Sequence, residues 1–203
     1  MRRQHAAGVQ NSPTFTSKRI DCAACMKPVN KRLVLTTVAA TLAASALLAA
    51  AAGTLLLFSG WYNIGATVQH WQPVYTLLER GMHYSVRHHA ADIRPPELGA
   101  PQTLRRGAAI YREHCVQCHG GPGVSQAGIG KSMQPIPGPL VDAARRWKPQ
   151  EMYWITRHGI KMSGMPAWEF RLPDEDIWAA VAFLGKLPAL SPQDYARAVE
   201  EGK

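Results

Sequence analysis

The sequence predicts an all-α protein with one N-terminal transmembrane helix, a short amphipathic connector helix and a C-terminal helical domain. Three observations support this fold class. An uncharged stretch of 26 residues, rich in Ala and Leu, occupies positions 33–58. In the later part of the chain, apolar residues recur at helical spacing. Between two of those later segments lies the motif CVQCHGG, at positions 115–121, whose cysteines stand one helical turn apart.

The positive charge of the chain is concentrated at its N-terminus. The 203 residues carry a formal net charge of +9, of which residues 1–32 contribute +6 and residues 97–203 only +2. A nucleic-acid-binding domain should carry a basic face of its own, so we predict no nucleic-acid partner. Residues 1–32 are predicted to form a basic cytoplasmic tail, disordered at least over positions 1–20 because apolar side chains are scarce there.

The uncharged stretch predicts a transmembrane signal-anchor helix over residues 33–59. At roughly 1.5 Å per residue, 26 residues span about 39 Å, more than the hydrocarbon core of a bilayer requires. A cleavable signal peptide is the alternative, although its apolar region usually runs only about 7–15 residues. Cations precede the helix and none follows it directly, so the positive-inside rule places the N-terminus in the cytoplasm and the rest in the periplasm. This predicts a single-pass protein of a bacterial inner membrane.

Residues 60–102 are predicted to be a periplasmic connector. Trp61 and Tyr62 suit the membrane interface, and residues 73–88 predict an amphipathic helix that lies on the membrane or against a partner subunit. The Pro-rich segment 94–102 predicts a semi-rigid linker. Four histidines occur here, and we expect them to be solvated or interfacial rather than metal ligands: His70, His83, His88 and His89.

The motif Cys115-x-x-Cys118-His119 is the signature of covalent haem attachment. Two thiols one helical turn apart can add to the two vinyl groups of one haem, and the following histidine supplies an axial imidazole nitrogen. A thioredoxin-like pair does not require that histidine. A zinc site would lack its other ligands, because the remaining cysteines are predicted to lie across the membrane. We therefore predict one covalently bound haem c.

A second motif, HGIKMSGMPAW at positions 158–168, offers a sixth iron ligand. Met165 is favoured because Pro166 stiffens the chain directly after it, and a thioether is a soft neutral ligand that raises the potential. Met162, Met133 and His158 remain alternatives, as does an open site. An ordinary packing role is the other common use of methionine.

These segments resemble a known family. YREHCVQCHGGPG, then HGIKMSGMPAW and DEDIWAAVAFLGKLP, are similar to a class I monohaem c-type cytochrome over about residues 103–188, here in a membrane-anchored form of bacterial respiratory chains. The resemblance implies a cytochrome c-like haem domain, with thioether bonds at Cys115 and Cys118, and with His119 and Met165 as axial ligands. It also implies that a proline carbonyl, of Pro137 or Pro139, steadies the proximal histidine.

Residues 103–190 are predicted to be this domain, followed by a C-terminal tail over 191–203. Helices are expected over 103–114, over 148–157 and from Asp174 to just before Pro188. Gly107 should let the first and last of them cross closely. Core packing is expected for three tryptophans, with Trp168 the best candidate for a haem-edge contact: Trp154, Trp168 and Trp178.

The predicted function is single-electron transfer by a membrane-tethered carrier, not an enzyme. A quinol-oxidising complex or a dehydrogenase would be the donor, and a terminal oxidase or reductase the acceptor. The alternatives are a fixed haem subunit of a larger redox complex, or a haem sensor or catalyst with a labile sixth ligand. The second pair, Cys22 and Cys25, lacks the following histidine and lies on the predicted reducing side, so we expect incidental reduced thiols there.

Overall fold

The computed structural model describes residues 30–201, so the predictions for the basic tail and for Cys22 and Cys25 lie outside the described residues. The chain divides into two units, Met1–Tyr62 and Asn63–Lys203. The described part of the first unit is dominated by helix α1, Lys31–Phe58. The described part of the second unit is helical, with eight further α-helices and no named strand.

Helix α1 is apolar on every side. Asn30 caps its start, since the side-chain oxygen accepts hydrogen bonds from the backbone N–H groups of Arg32 and Leu33. None of its residues is buried, and the stretch from residue 33 to residue 58 carries no charge. A helix of this kind is stable where its whole surface meets lipid. The helix is long and apolar enough to cross a membrane. A signal sequence near an N-terminus can have the same length and composition.

Helix α2, Gln72–His89, corresponds to the predicted amphipathic helix and is packed on one side. Pro73 lies in its first turn, and Val86 is buried with only 1% of its surface exposed. His83 stacks on Trp147 with ring centroids 4.5 Å apart, and His89 stacks on Trp154 at 5.5 Å. The prediction of a solvated side chain is confirmed for His89, which is exposed although one face of its ring stacks on Trp154, whereas His83 is half-buried against Trp147.

The core of the second unit lies between three helices. Helix α3, Pro101–Ile110, crosses helix α8, Asp174–Leu184, and helix α7, Pro149–His158, packs beside α8. Short helices complete the unit: α4, Val116–His119; α5, Gly128–Lys131; and α6, Ala143–Arg146. Single 3₁₀ turns occur at Trp168–Phe170 and Leu187–Ala189.

Gly107 allows the close crossing of α3 and α8, as the sequence suggested. A Cβ at this position would lie 2.7 Å from the carbonyl carbon of Ala179 and 2.9 Å from the Cβ of Phe183. Real Cβ atoms are not found so close to backbone, so only glycine fits at this crossing. Asp176, at the start of α8, pairs with Arg106 of α3 and adds a polar contact beside it.

The predicted C-terminal tail is instead part of the domain. Pro192–Glu201 forms helix α9, and Tyr195 is buried with 2% of its surface exposed. Its ring lies near those of Tyr111 and Phe183, with centroids 6.2 and 6.3 Å away. Tyr195, Ala198 and Val199 are spaced i, i+3 and i+4, which is the pattern of a helix with one apolar face. The chain therefore continues into the core past residue 190.

Candidate functional site

The two cysteines of the CxxCH motif lie at the end of a continuous helical path. After α3 the backbone widens into a π-helical turn, Tyr111–Cys115, and then continues as α4, which ends at His119. Cys115 and Cys118 are both half-buried free thiols. Such π turns often occur at functional sites because they redirect side chains within a helix. Nothing in the sequence analysis predicted this one.

Tyr111 joins the segments on either side of the motif. Its side chain is fully buried, and its hydroxyl donates a 2.7 Å hydrogen bond to the carbonyl of Gly120, directly after His119. Burial raises the pKa of the Tyr111 phenol well above its usual range, and the neighbouring Cys115 and Tyr195 raise it further. The hydroxyl therefore stays protonated and remains a donor.

The His119 ring is held by one backbone hydrogen bond. Its Nδ1 lies 2.8 Å from the carbonyl oxygen of Gly138. Because a carbonyl can only accept, Nδ1 carries the proton and Nε2 keeps its lone pair. The resemblance implied a carbonyl of Pro137 or Pro139; the acceptor is instead that of the residue between them, because Gly138 presents its own oxygen toward the ring.

The electrostatic setting of His119 favours a neutral imidazole. Burial lowers its pKa from the usual value, and the hydrogen bond to Gly138 opposes that shift only in part. A neutral ring with Nδ1–H bonded to a carbonyl is the usual arrangement of a metal-ligating histidine. The donor set at His119 therefore fits a haem iron.

The cysteine pair has a buried environment as well. Burial raises the pKa of the Cys115 thiol to about 12, with a smaller contribution from Cys118. The Cys115 sulfur is therefore a protonated thiol near neutral pH when it carries no thioether bond to haem. Among residues 30–201, no group of three or more His, Cys, Asp or Glu side chains is placed to hold a metal ion. The zinc alternative for this pair thus finds no further ligands in the described part of the chain.

Gln126 ties the loop after the motif back to the motif. Its side-chain amide donates to the carbonyl of Cys118 at 2.7 Å and also to the carbonyl of Pro137. Gly130 packs so tightly that a Cβ there would lie 2.9 Å from the Cα of Cys118. Sequence reasoning missed Gln126, since a single glutamine in a Gly-rich loop gives no periodic or spacing signal.

Met165 lies on a tight loop after α7. The N–H of Ile160 donates to the carbonyl of Met165 at 3.3 Å, and the Ser163 hydroxyl accepts from the N–H of Met165 at 3.2 Å. Gly159 has a φ of +66°, and a Cβ there would lie 2.6 Å from the Met165 carbonyl. The loop can close only with glycine at position 159.

The Met165 loop touches the loop that follows the CxxCH motif. The side chain of Met133 covers Gly164, with its Cγ and Cε 3.2 Å from where a Cβ would be. The N–H of Met133 donates to the carbonyl of Gly130, and Gly130 packs on Cys118. A series of contacts through Gly130, Met133 and Gly164 thus links the Met165 loop to Cys118.

Two of the alternative ligands, Met162 and His158, differ from Met165 in their surroundings, whereas Met133 is half-buried as Met165 is. Met162 is 73% exposed and has a φ of +58°, whereas Met165 is half-buried. The Nδ1 of His158 lies 3.3 Å from a carboxylate oxygen of Glu169, which also pairs with Arg157 at 3.3 Å. Glu169 therefore joins the segment after Met165 to the last turn of α7.

The tryptophans contact protein rings. Trp178 stacks on Tyr153 at 4.1 Å, and Trp168 lies 4.8 Å from His114, the residue before Cys115. Trp154 contacts both His89 and His158. Trp168 thus lies beside the π turn that leads into the motif.

Comparison with known proteins supports this interpretation of the site. Residues 102–184 match the model of the family described as cytochrome c oxidase, cbb3-type, subunit III. These residues are therefore similar to a c-type cytochrome domain. Such a domain implies electron transfer as the activity and haem c as the cofactor, in agreement with the resemblance found in the motifs.

One curated relative is distant and much longer. The chain is 31% identical over 87 residues to a protein of Pseudomonas aeruginosa named dihydro-heme d1 dehydrogenase. The matched segment is 43% of this chain and 16% of that protein. The chain therefore spans only a small part of the length of that relative.

Proposed function

We propose that the cytochrome domain holds one haem c, bonded covalently through Cys115 and Cys118, with His119 and Met165 as the axial ligands. The hydrogen bond from Nδ1 of His119 to the Gly138 carbonyl is the observation that carries this proposal. Because the proton is on Nδ1, Nε2 keeps a lone pair that can bind the haem iron. Haem c supplies an iron that changes reversibly between two oxidation states by one electron.

The chain's own residues would restrict the site to electron exchange. If the His119 imidazole and the Met165 thioether both bound the iron, they would leave no coordination position for a substrate. Gln126 and Gly130 hold one loop against the motif, and Met133 and Gly164 join it to the Met165 loop. These contacts favour a rigid site, in which little reorganisation accompanies a change of charge.

We also propose that α1 anchors the domain to a bacterial inner membrane as a single pass, with the domain in the periplasm. The basic residues before α1 and the apolar surface of the helix support this topology. The partners would be redox proteins: a quinol-oxidising complex or a dehydrogenase as donor, and a terminal oxidase or reductase as acceptor. A tether would raise the effective concentration of the domain near integral-membrane partners.

A fixed subunit of a larger complex is a second candidate. It is favoured by one observation, namely that the matching family is named for a subunit of an oxidase. Purification of the chain from its own membranes in mild detergent separates the two candidates. A tethered carrier is released alone, whereas a fixed subunit elutes with other polypeptides in constant proportion.

Denaturing gel electrophoresis with haem staining tests covalent attachment. Haem should migrate with the full chain after boiling, and Cys115→Ser/Cys118→Ser should abolish the stained band. Cys22→Ser/Cys25→Ser is the matched control and should retain it, because that pair has no following histidine. Free haem at the dye front from the unaltered chain would contradict the proposal.

A further inference from the structure

Helix α2 has two apolar sides, and only one is covered within its unit. The covered side carries Val86, at 1% exposure, together with His83 on Trp147. The other side carries Val74, Leu77, Leu78 and Tyr84. Their exposed fractions are 40%, 72%, 45% and 72%, in that order. With Gly81 they recur at i, i+3, i+4, i+7 and i+10, which places them on one face of the helix. We call these five residues the outer stripe of α2.

The charged residues of α2 suit an anionic lipid surface. Arg80 and Arg87 are exposed and spaced seven residues apart, so they lie along one edge of the outer stripe. Glu79 is the only acidic residue in the helix. An apolar stripe with arginine at its edge is the pattern of a helix that lies in the plane of a membrane interface.

The segment between α1 and α2 also supports contact of α2 with a membrane. Only 13 residues, 59–71, separate Phe58 from Gln72. Fully extended, they reach at most about 45 Å, so α2 would stay close to any membrane that α1 crosses. Trp61, Ile64 and Trp71 in this segment are 87%, 90% and 76% exposed, which adds apolar and aromatic surface suited to the headgroup region.

We propose that the outer stripe of α2 lies in the interfacial region of a phospholipid bilayer and holds the cytochrome domain at the membrane surface. The inference rests on the proposed anchoring by α1. It adds a second membrane contact, made by a helix that is itself packed on the domain through Val86 and His83. The domain would then keep a restricted orientation instead of turning freely on its connector.

Photo-crosslinking in nanodiscs tests the proposal with the full chain. The photoreactive residue p-benzoylphenylalanine replaces Leu77 in one variant, Val38 of α1 in a second and Gln193 of α9 in a third. The nanodiscs contain phosphatidylcholine with phosphatidylglycerol, and lipid adducts are measured by mass spectrometry after illumination. We expect lipid adducts from positions 77 and 38 but not from position 193, which is exposed on another helix.

The outcomes distinguish the two membrane contacts. Adducts at position 38 without adducts at 77 would overturn the docking of α2 and leave the anchor intact, whereas no adducts at either position would overturn the anchor as well. Adducts between position 77 and a second copy of the chain would assign the stripe to a protein interface instead. With the crosslinker at Tyr84, the additional change Leu77→Ser/Leu78→Ser should reduce lipid adducts to the level of position 193. An undiminished yield would refute the role of the stripe.

Discussion

Replacing Gly107 by alanine should destabilise the cytochrome domain through the crossing of α3 and α8. The new methyl group would lie 2.7 Å from the carbonyl carbon of Ala179 and 2.9 Å from the Cβ of Phe183, and it would also overlap the Ala179 oxygen. Because two of these atoms are backbone, the helices must move apart. Overpacking of this kind costs up to about 3 kcal/mol, from which a gain of about 1 kcal/mol for alanine over glycine in a helix is subtracted.

The expected net loss is about 2 kcal/mol in the free energy of unfolding, or roughly 8 °C in the melting temperature of a domain of this size. Guanidinium titration of the full chain in detergent, followed by tryptophan fluorescence, measures it as a lower midpoint at an unchanged slope. Gly81→Ala is the matched control, because no atom other than those of its chain neighbours and the backbone of its own helix lies within 4 Å of a Cβ at that position. It should leave the midpoint unchanged or raise it. Equal midpoints for Gly107→Ala and the unaltered chain would refute the close crossing.

Three further changes test other contacts. Tyr195→Ala should cost about 3–5 kcal/mol of stability, since it removes a buried ring from the core. The control Arg197→Ala, on the exposed side of α9, should change stability by less than about 1 kcal/mol. Equal effects of the two changes would exclude α9 from the core. Burial raises the pKa of Tyr111 in the folded chain, so the folded state resists a deprotonation that the unfolded chain undergoes near pH 10. Its contribution to stability should be complete below about pH 10 and decline above it, and a Tyr111→Phe variant should show a shallower alkaline decline in unfolding midpoints. Gln126→Ala should lose about 1–3 kcal/mol by leaving two partly buried carbonyls without their donor, as measured by thermal unfolding against Gln102→Ala, which is exposed.

The helices of the domain could be predicted from sequence because their signals are local. Pro149 at the first turn of α7, and the acidic run at the start of α8, mark helix starts by steric fit and by the helix dipole. The predicted ranges 103–114 and 148–157 overlap Pro101–Ile110 and Pro149–His158. The first predicted helix ends at residue 114, whereas α3 ends at Ile110, because the backbone changes there from an α-helix to the π turn Tyr111–Cys115.

Contacts between distant segments could not be predicted in the same way. The acceptor for His119 is Gly138, because the loop conformation and not the sequence spacing decides which of three adjacent carbonyls faces the ring. His83 and His89 stack on tryptophans more than 60 residues away, a pairing that the helical pattern of α2 does not reveal.

The C-terminal helix shows a different reason for failure. Pro188 ends the preceding helical pattern, and the residues after it are largely polar, so the last segment resembles a tail when considered alone. Only the docking of Tyr195 against Tyr111 and Phe183 makes it part of the core. A short amphipathic helix gains most of its stability from such packing, not from its own sequence.

We propose that Met165 binds the haem iron as its sixth ligand, which would restrict the site to electron transfer. The most direct measurement is the visible spectrum of the purified full chain at neutral pH, oxidised, and then reduced under carbon monoxide. We predict the weak red band of thioether-ligated ferric haem and no carbon monoxide adduct, and for Met165→Ala the loss of that band and rapid adduct formation. Met162→Ala is the matched control and should behave as the unaltered chain does. Rapid binding of carbon monoxide by the unaltered protein, or a red band that survives in Met165→Ala, would contradict the account.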